Sequence, residues 1–283
     1  MQVDRSIFKA YDIRGIVGST LTEPVARAVG RALGTLAVRQ GIKELCVGRD
    51  GRLSGPALAA ALIEGIASTG TDVKDIGMAP TPVLYFATTH FKNGSGVAVT
   101  GSHNPPEYNG LKMMLGGMTL FGDGIAHLAD MIETEDFVAA DKPGRVETVD
   151  VIEAYLAKIA ADVRLARPVK VAVDCGNGVT GPTVRCMFKA IGAEVTELFF
   201  DIDGHFPNHH PDPSKPANLN ALIECVKTSD VELGLAFDGD GDRLGVVTKS
   251  GSIIYPDRQM MLFAADILAK HPGAQIIYDV KCT

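Results

Sequence analysis

The sequence predicts an α/β fold built from successive strand–helix cycles, and three observations carry that reading. Helical and strand patterns alternate along the chain, the arrangement expected of helices laid on a mixed or mostly parallel sheet. A polar stretch, residues 141–149, contains Pro143-Gly144 and separates two runs of such cycles. The two most unusual loops, 100–105 and 238–243, each directly follow a short apolar run of the kind that forms a buried strand.

The elements read as follows. Residues 24–38 place apolar residues at helical spacing and stop at Gly41, and 44–48 form a short apolar strand. A second helix is expected over 56–69, ending at Gly70, then a strand over 72–78 and a helix over 81–90 after two prolines. The run Gly-Val-Ala-Val-Thr, 96–100, is a buried strand. A new cycle follows the polar boundary, with helix 151–162, strand 169–174, helix 181–191 and strand 194–200. Residues 201–216 carry four prolines and three histidines and read as a long irregular loop. Helix 217–229, strand 233–237 and a hairpin partner, 245–248, come next. From Ile253 a third cycle is expected, helix 257–270 and strand 275–280. One helix between strands does not bury its own apolar faces, so this segment reads as the start of a third unit, cut at Thr283.

The chain has 283 residues, of which 46% are hydrophobic, ample for two cores. A net charge of −7 without a basic cluster argues against a nucleic-acid partner. No apolar run approaches the roughly 20 residues of a membrane span, and the first eight residues lack a signal-peptide core. The five cysteines are scattered and lack Cys-x-x-Cys spacing, so neither a zinc site nor a disulfide framework is expected. A reduced, cytoplasmic protein is the simplest reading.

Asp238-Gly239-Asp240-Gly241-Asp242-Arg243 is the most informative stretch. Alternate residues of an extended, turning loop point the same way, so three carboxylates converge, and hard oxygen ligands suit a cation such as Mg²⁺. An EF-hand is excluded, because loop positions six and twelve would be Arg243 and Lys249 rather than Gly and Glu. A solvated acidic turn explains the repeat poorly, since close carboxylates repel one another without a cation.

Thr100-Gly101-Ser102-His103-Asn104-Pro105 offers a serine that needs activation to act as a nucleophile. A polar turn fits the same residues, while a hydrolase elbow does not, because Gly-x-Ser-x-Gly is absent. A serine on one strand end and a metal loop on another suggest metal-assisted phosphoryl transfer. Gly176-Asn177-Gly178-Val179-Thr180-Gly181 matches a dinucleotide fingerprint between strand and helix, but Asp201 lies late for the ribose contact, and a tight strand-to-helix turn is the better reading. Two basic segments, Lys9 to Gly15 and Gly48 to Arg52, can serve phosphate, or form surface ion pairs. Lys112 is a base, a charge stabiliser or an exposed lysine. His205, His209 and His210 read as part of a structural loop rather than a zinc site.

Taken together, Lys9-Ala10-Tyr11-Asp12-Ile13-Arg14-Gly15, Thr100–Pro105 and Asp238–Arg243 resemble the α-D-phosphohexomutases, most closely the bacterial phosphomannomutase/phosphoglucomutase branch. The resemblance runs from Lys9 to Lys281-Cys282-Thr283. It implies two similar three-layer α/β domains with mixed sheets, 1–147 bearing a phosphoserine and 148–252 binding metal, with 253–283 beginning a truncated third, sugar-binding domain. It also implies an isomerase, an intramolecular phosphotransferase that interconverts hexose 1-phosphate and 6-phosphate, of mannose or glucose, through a 1,6-bisphosphate. Carried over by resemblance, Ser102 would be the phosphoserine, and Asp238, Asp240 and Asp242 would hold Mg²⁺ with it. Arg14, His103 and Lys112 would be catalytic, while Lys9, Tyr11, Arg243 and Lys281 would meet the phosphosugar. A nucleotide-binding oxidoreductase built on the Gly176–Gly181 turn, and a non-catalytic metal-binding fragment, are the alternatives.

Overall fold

The computed structural model describes residues 1–280 and Cys282. Among these residues the chain folds around two mixed sheets with helices on both faces of each. The first sheet contains β1 (Ile13–Ile16), β2 (Glu44–Arg49), β3 (Asp72–Met78), β4 (Gly96–Val99), β5 (Tyr108–Leu115), β6 (Met118–Thr119) and β7 (Val146–Thr148), in the order β1-β5-β4-β2-β3-β7 with β6 on β5. The strands β4, β2, β3 and β7 run parallel, and β5 is antiparallel to both β4 and β1.

Helices α1 (Glu23–Arg39), α2 (Gly55–Ala67) and α4 (Asp123–Thr134) lie on one face, and α3 (Thr81–His90) on the other. The period-2 pleat makes this possible: Leu45 and Val47 of β2 point into the core under α1 and α2, while Cys46 points into the core under α3. Helix α1 starts where sequence chemistry says it should, with the Thr22 hydroxyl capping the Val25 amide and Pro24 in the first turn.

The second sheet contains β8 (Lys170–Asp174), β9 (Glu194–Leu198), β10 (Leu233–Phe237), β11 (Leu244–Thr248) and β12 (Ile253–Ile254), in the order β12-β11-β10-β8-β9. Strands β10, β8 and β9 are parallel, and β11 and β12 close one edge antiparallel. Helix α6 (Gly181–Ile191) covers the face reached by Val171 and Val173, and α7 (Asn220–Thr228) covers the face reached by Ala172. Helix α5 (Ile152–Asp162) bridges the units, since Tyr155 packs on the α3 core and α5 touches α6.

The structure departs from the sequence reading at several places, and it contains elements that reading lacked, β1 and α4 among them. The polar stretch 141–149 contains β7, an exposed edge strand paired to β3, whose backbone hydrogen bonds need no apolar pattern. Tyr108–Leu115, not anticipated, is the long antiparallel strand that joins β4 to β1. Ile253–Ile254 extends the second sheet rather than opening a new one. Residues 275–280 form no strand, because no partner ladder reaches them among the described residues. Helix α8 (Pro256–Lys270) forms as expected but leaves Met261, Leu262 and Phe263 exposed. Among the described residues no helix is long and apolar enough to cross a membrane.

Candidate active site

The two loops singled out by the sequence meet. The serine loop leaves the carboxyl end of β4 and the Asp loop leaves the carboxyl end of β10, where α/β sheets open their crevices. Ser102 is buried, with φ of +50°, a left-handed conformation uncommon for a residue with a Cβ. Its hydroxyl donates to Asp238 Oδ2 at 2.8 Å and stands 3.2 Å from His103 Nδ1. The loops touch so closely that a Cβ on Gly239 would sit 2.4 Å from the Ser102 carbonyl oxygen.

Asp238 and Asp240 are fully buried, Asp242 is exposed, and one oxygen from each lies within 4.8 Å of the others. Asp240 Oδ2 accepts from Lys112 Nζ at 2.7 Å and from the Thr81 hydroxyl at 2.5 Å, across from the first sheet. Lys112 also reaches Asp242 Oδ2 at 2.5 Å. Burial, then repulsion from Asp240 and Asp242, pushes the Asp238 carboxyl up to about 8. Burial also opposes ionisation of Asp240, but Lys112 outweighs it and holds that carboxyl below its usual range. Burial disfavours the Lys112 ammonium, yet its two carboxylate partners raise its pKa above the ordinary lysine value.

A divalent cation fits this set. Asp240 Oδ1 is buried with no hydrogen-bond partner, an acceptor left without a donor. Three carboxylates converge while one ammonium, Lys112, reaches only two of them, Asp240 and Asp242, and hard oxygens suit Mg²⁺. Asp238, Asp240, Asp242 and Ser102 are the residues able to hold it.

A cleft of about 510 Å³ opens beside Ser102 and is lined by Lys9, Tyr11, Arg14, Lys112 and Arg243, together with Tyr85, which the sequence did not single out. Arg14 is paired with Asp12. Lys9, Tyr11 and Arg243 are exposed, as groups that meet a ligand from solvent must be. Burial, and then the charge of Arg243, lower the His103 pKa, so its imidazole is neutral near pH 7. Lys281 lies outside the described residues.

The remaining motifs find structural roles. The Gly176–Gly181 turn has no room for a pyrophosphate on its inner side: a Cβ on Gly178 would meet the Gly239 carbonyl at 2.8 Å, and one on Gly181 the Phe200 carbonyl at 2.0 Å. Glycine is needed there for packing against the Asp loop, whose Gly239 carbonyl accepts from Val179 N. The histidines are spread apart: His209 pairs with Asp174 at 2.9 Å, His210 bonds the His103 carbonyl, and His205 is exposed. Arg52, read from sequence as a phosphate or surface group, is neither. It is 1% exposed, paired with Asp50 and bonded to the serine loop. Its position after a strand, like that of the serine loop, was the available signal. Nothing in the sequence distinguished Thr81, beyond its place at a helix start.

Comparison with known proteins agrees with this architecture. The chain matches the profile of phosphoglucomutase/phosphomannomutase α/β/α domain I over residues 5–139 and that of domain II over residues 153–251. It is 56% identical over 281 residues to a phosphoglucomutase of Neisseria gonorrhoeae, covering 99% of this chain and 61% of the relative. It is 53% identical over 278 residues to a phosphomannomutase/phosphoglucomutase of Pseudomonas aeruginosa PAO1, covering 98% of this chain and 60% of the relative. A solved structure of a phosphoglucomutase/phosphomannomutase family protein from Burkholderia thailandensis superposes with a TM-score of 0.96 at 54% identity, over the whole chain and 63% of that protein. The chain thus spans about three-fifths of the length of the curated relatives it matches. With both loops at the meeting point of two α/β/α units that match the family's first two domains in order, the chain belongs to the phosphoglucomutase/phosphomannomutase family.

Proposed function

We propose that this chain carries the phosphoryl-transfer centre of a phosphohexomutase, which interconverts the 1-phosphate and 6-phosphate of mannose or glucose through a phosphoserine at Ser102. The observation that carries the reading is the buried Ser102 hydroxyl, 2.8 Å from Asp238 within a three-carboxylate cluster and facing a cleft lined by basic side chains.

In the forward half-reaction the bond from phosphorus to Ser102 Oγ breaks as a bond to the free sugar hydroxyl forms, giving the 1,6-bisphosphate; the sugar hydroxyl gives up its proton and Ser102 Oγ takes one up, which restores the serine hydroxyl. In the return half-reaction Ser102 Oγ attacks the other phosphoryl group and gives up its own proton. The neutral His103 imidazole, 3.2 Å away, can hold that proton. Held as an ammonium by two carboxylates, Lys112 contributes positive charge, and Arg14 and Arg243 add theirs from the cleft wall. Mg²⁺ held by Asp238, Asp240, Asp242 and the phosphorylated Ser102 would supply charge neutralisation at the phosphoryl oxygens.

In the same reading 1–147 is the phosphoserine-bearing unit, 148–252 with the added strand β12 the metal-binding unit, and the residues after β12 the start of a sugar-binding unit, with Lys9, Tyr11, Arg243 and Lys281 meeting the substrate. The five free cysteines are consistent with a reducing, cytoplasmic setting. The test is intact mass after incubation with glucose 1,6-bisphosphate and Mg²⁺. One added phosphoryl group, mapped to Ser102 and lost to glucose 1-phosphate, supports the reading. A chain that binds Mg²⁺ but takes up no phosphoryl group supports a metal-binding fragment instead.

A further inference from the structure

We propose that Asp50 and Arg52 are positioning residues for Ser102, a buried ion pair that fixes both sides of the serine's backbone and so aims its hydroxyl. The proposal rests on the reading of Ser102 as the phosphoryl carrier.

The geometry is specific. Arg52 has five N–H donors, and each has an acceptor. Nε meets Asp50 Oδ2 at 3.3 Å, one terminal nitrogen meets the carbonyls of Pro105 at 2.6 Å and Tyr108 at 2.9 Å, and the other those of Ser102 at 2.9 Å and Asn104 at 2.6 Å. One side chain therefore gathers four carbonyls spread along the whole connection from β4 to β5. With every donor used and the group buried, Arg52 has nothing left to offer a phosphate.

Asp50 fixes the other side. Its Oδ2 accepts from the Thr100 hydroxyl at 2.7 Å and from Gly101 N at 3.2 Å, and Thr100 Oγ1 in turn accepts from Ser102 N at 2.8 Å. The Ser102 N–H is thus tied to Asp50 through Thr100, and its carbonyl to Arg52. A left-handed serine persists only where its surroundings over-determine it, and this pair supplies the determination. Residue 101 must be glycine for the same reason, since a Cβ there would lie 2.3 Å from the guanidinium carbon. From the second sheet's loop, the Phe206 ring stands 5.3 Å from that carbon and covers it. Lysine, with one compact ammonium, cannot reproduce a five-acceptor fork.

The experiment compares the parent chain with Arg52→Lys, with the milder Thr100→Val, and with a core control, Ile66→Val. Two quantities are read: the rate of Ser102 loading from glucose 1,6-bisphosphate by intact mass, and amide exchange of the 100–108 segment relative to 96–99. Both loop variants are expected to load at least thirtyfold more slowly at saturation, with half-saturation within threefold of the parent. Exchange at 101–104 should rise at least tenfold while 96–99 stays protected. Ile66→Val should lower the melting temperature and change neither. Loading at the parental rate by a folded Arg52→Lys or Thr100→Val chain overturns the proposal, as does exchange that rises equally in 96–99. If the parent itself takes up no phosphoryl group, the proposed function fails, and exchange alone decides: a rise confined to 101–104 sustains the positioning role, and its absence overturns it.

Discussion

Gly239→Ala tests the contact on which the whole site depends. The glycine's backbone is not left-handed, so alanine adds only a methyl group and no conformational strain. That methyl would lie 2.4 Å from the Ser102 carbonyl oxygen, and contacts under 3.0 Å are essentially never seen, so the loops must separate by at least about 0.6 Å. The neighbour is backbone held by Arg52, not the free end of a flexible side chain, so it cannot swing aside. Such overpacking costs about 1–3 kcal/mol, or about 2–4 °C in melting temperature for each kcal/mol in a chain of this size. The same displacement lengthens the 2.8 Å Ser102–Asp238 bond to near the limit of a hydrogen bond. Misplacement of about 1 Å costs on the order of a hundredfold in rate, so loading of Ser102 should fall by about ten- to a hundredfold. The control is Gly192→Ala, at the left-handed end of α6, where a Cβ meets nothing and the loss, about 1 kcal/mol or somewhat more, comes from strain alone. Calorimetry reads stability and intact mass reads loading. If Gly239→Ala melts with the parent and loads at its rate, the claimed closeness of the two loops is wrong.

Above about pH 8, where the Asp238 carboxyl is charged, Asp238→Asn removes one of three like charges, so in chelator at that pH its melting temperature should match or exceed the parent's. On adding Mg²⁺ to about 100 times its dissociation constant the parent should gain about 2.7 kcal/mol and the variant far less, as scanning calorimetry would show. Burial works against the charged His209 imidazole, but Asp174 outweighs it and raises its pKa. A raised folded-state value means stability that is fully present below the unfolded pKa, near 6.5, and is lost as pH rises through the folded one. Denaturant midpoints should therefore fall across that window in the parent and lose that component in His209→Gln. Burial pushes the Cys46 thiol up to about 11 and Cys175 to about 12, whereas Cys186 is exposed. Iodoacetamide at pH 8 should label Cys186 in the folded chain and reach Cys46 and Cys175 only after denaturation, by peptide mass.

Apolar period and punctuation made most elements legible. The spans 72–78, 81–90, 181–191 and 233–237 match the observed β3, α3, α6 and β10 residue for residue, because glycine and proline mark most of their ends locally. The strands β5 and β7 were missed, since their stability comes from ladder partners far away in sequence. Residues 275–280 show the opposite failure: a good strand pattern that joins no ladder among the described residues stays irregular.

The sequence by itself determined the alternation of strands and helices, the two loops and the oxygen-rich character of the Asp loop, because side-chain period and donor chemistry are local properties. Only the tertiary structure decided that Ser102 Oγ lies 2.8 Å from Asp238, across 136 positions of chain, and that Lys112 bridges Asp240 and Asp242. It also turned Arg52 from a surface candidate into the buried anchor of the serine loop, and filled the Gly176–Gly181 turn with the chain's own Asp loop. The reason is physical. Composition says which donors and acceptors exist, but whether a charge meets water, a carboxylate or four carbonyls depends on which strand ends the two sheets bring together.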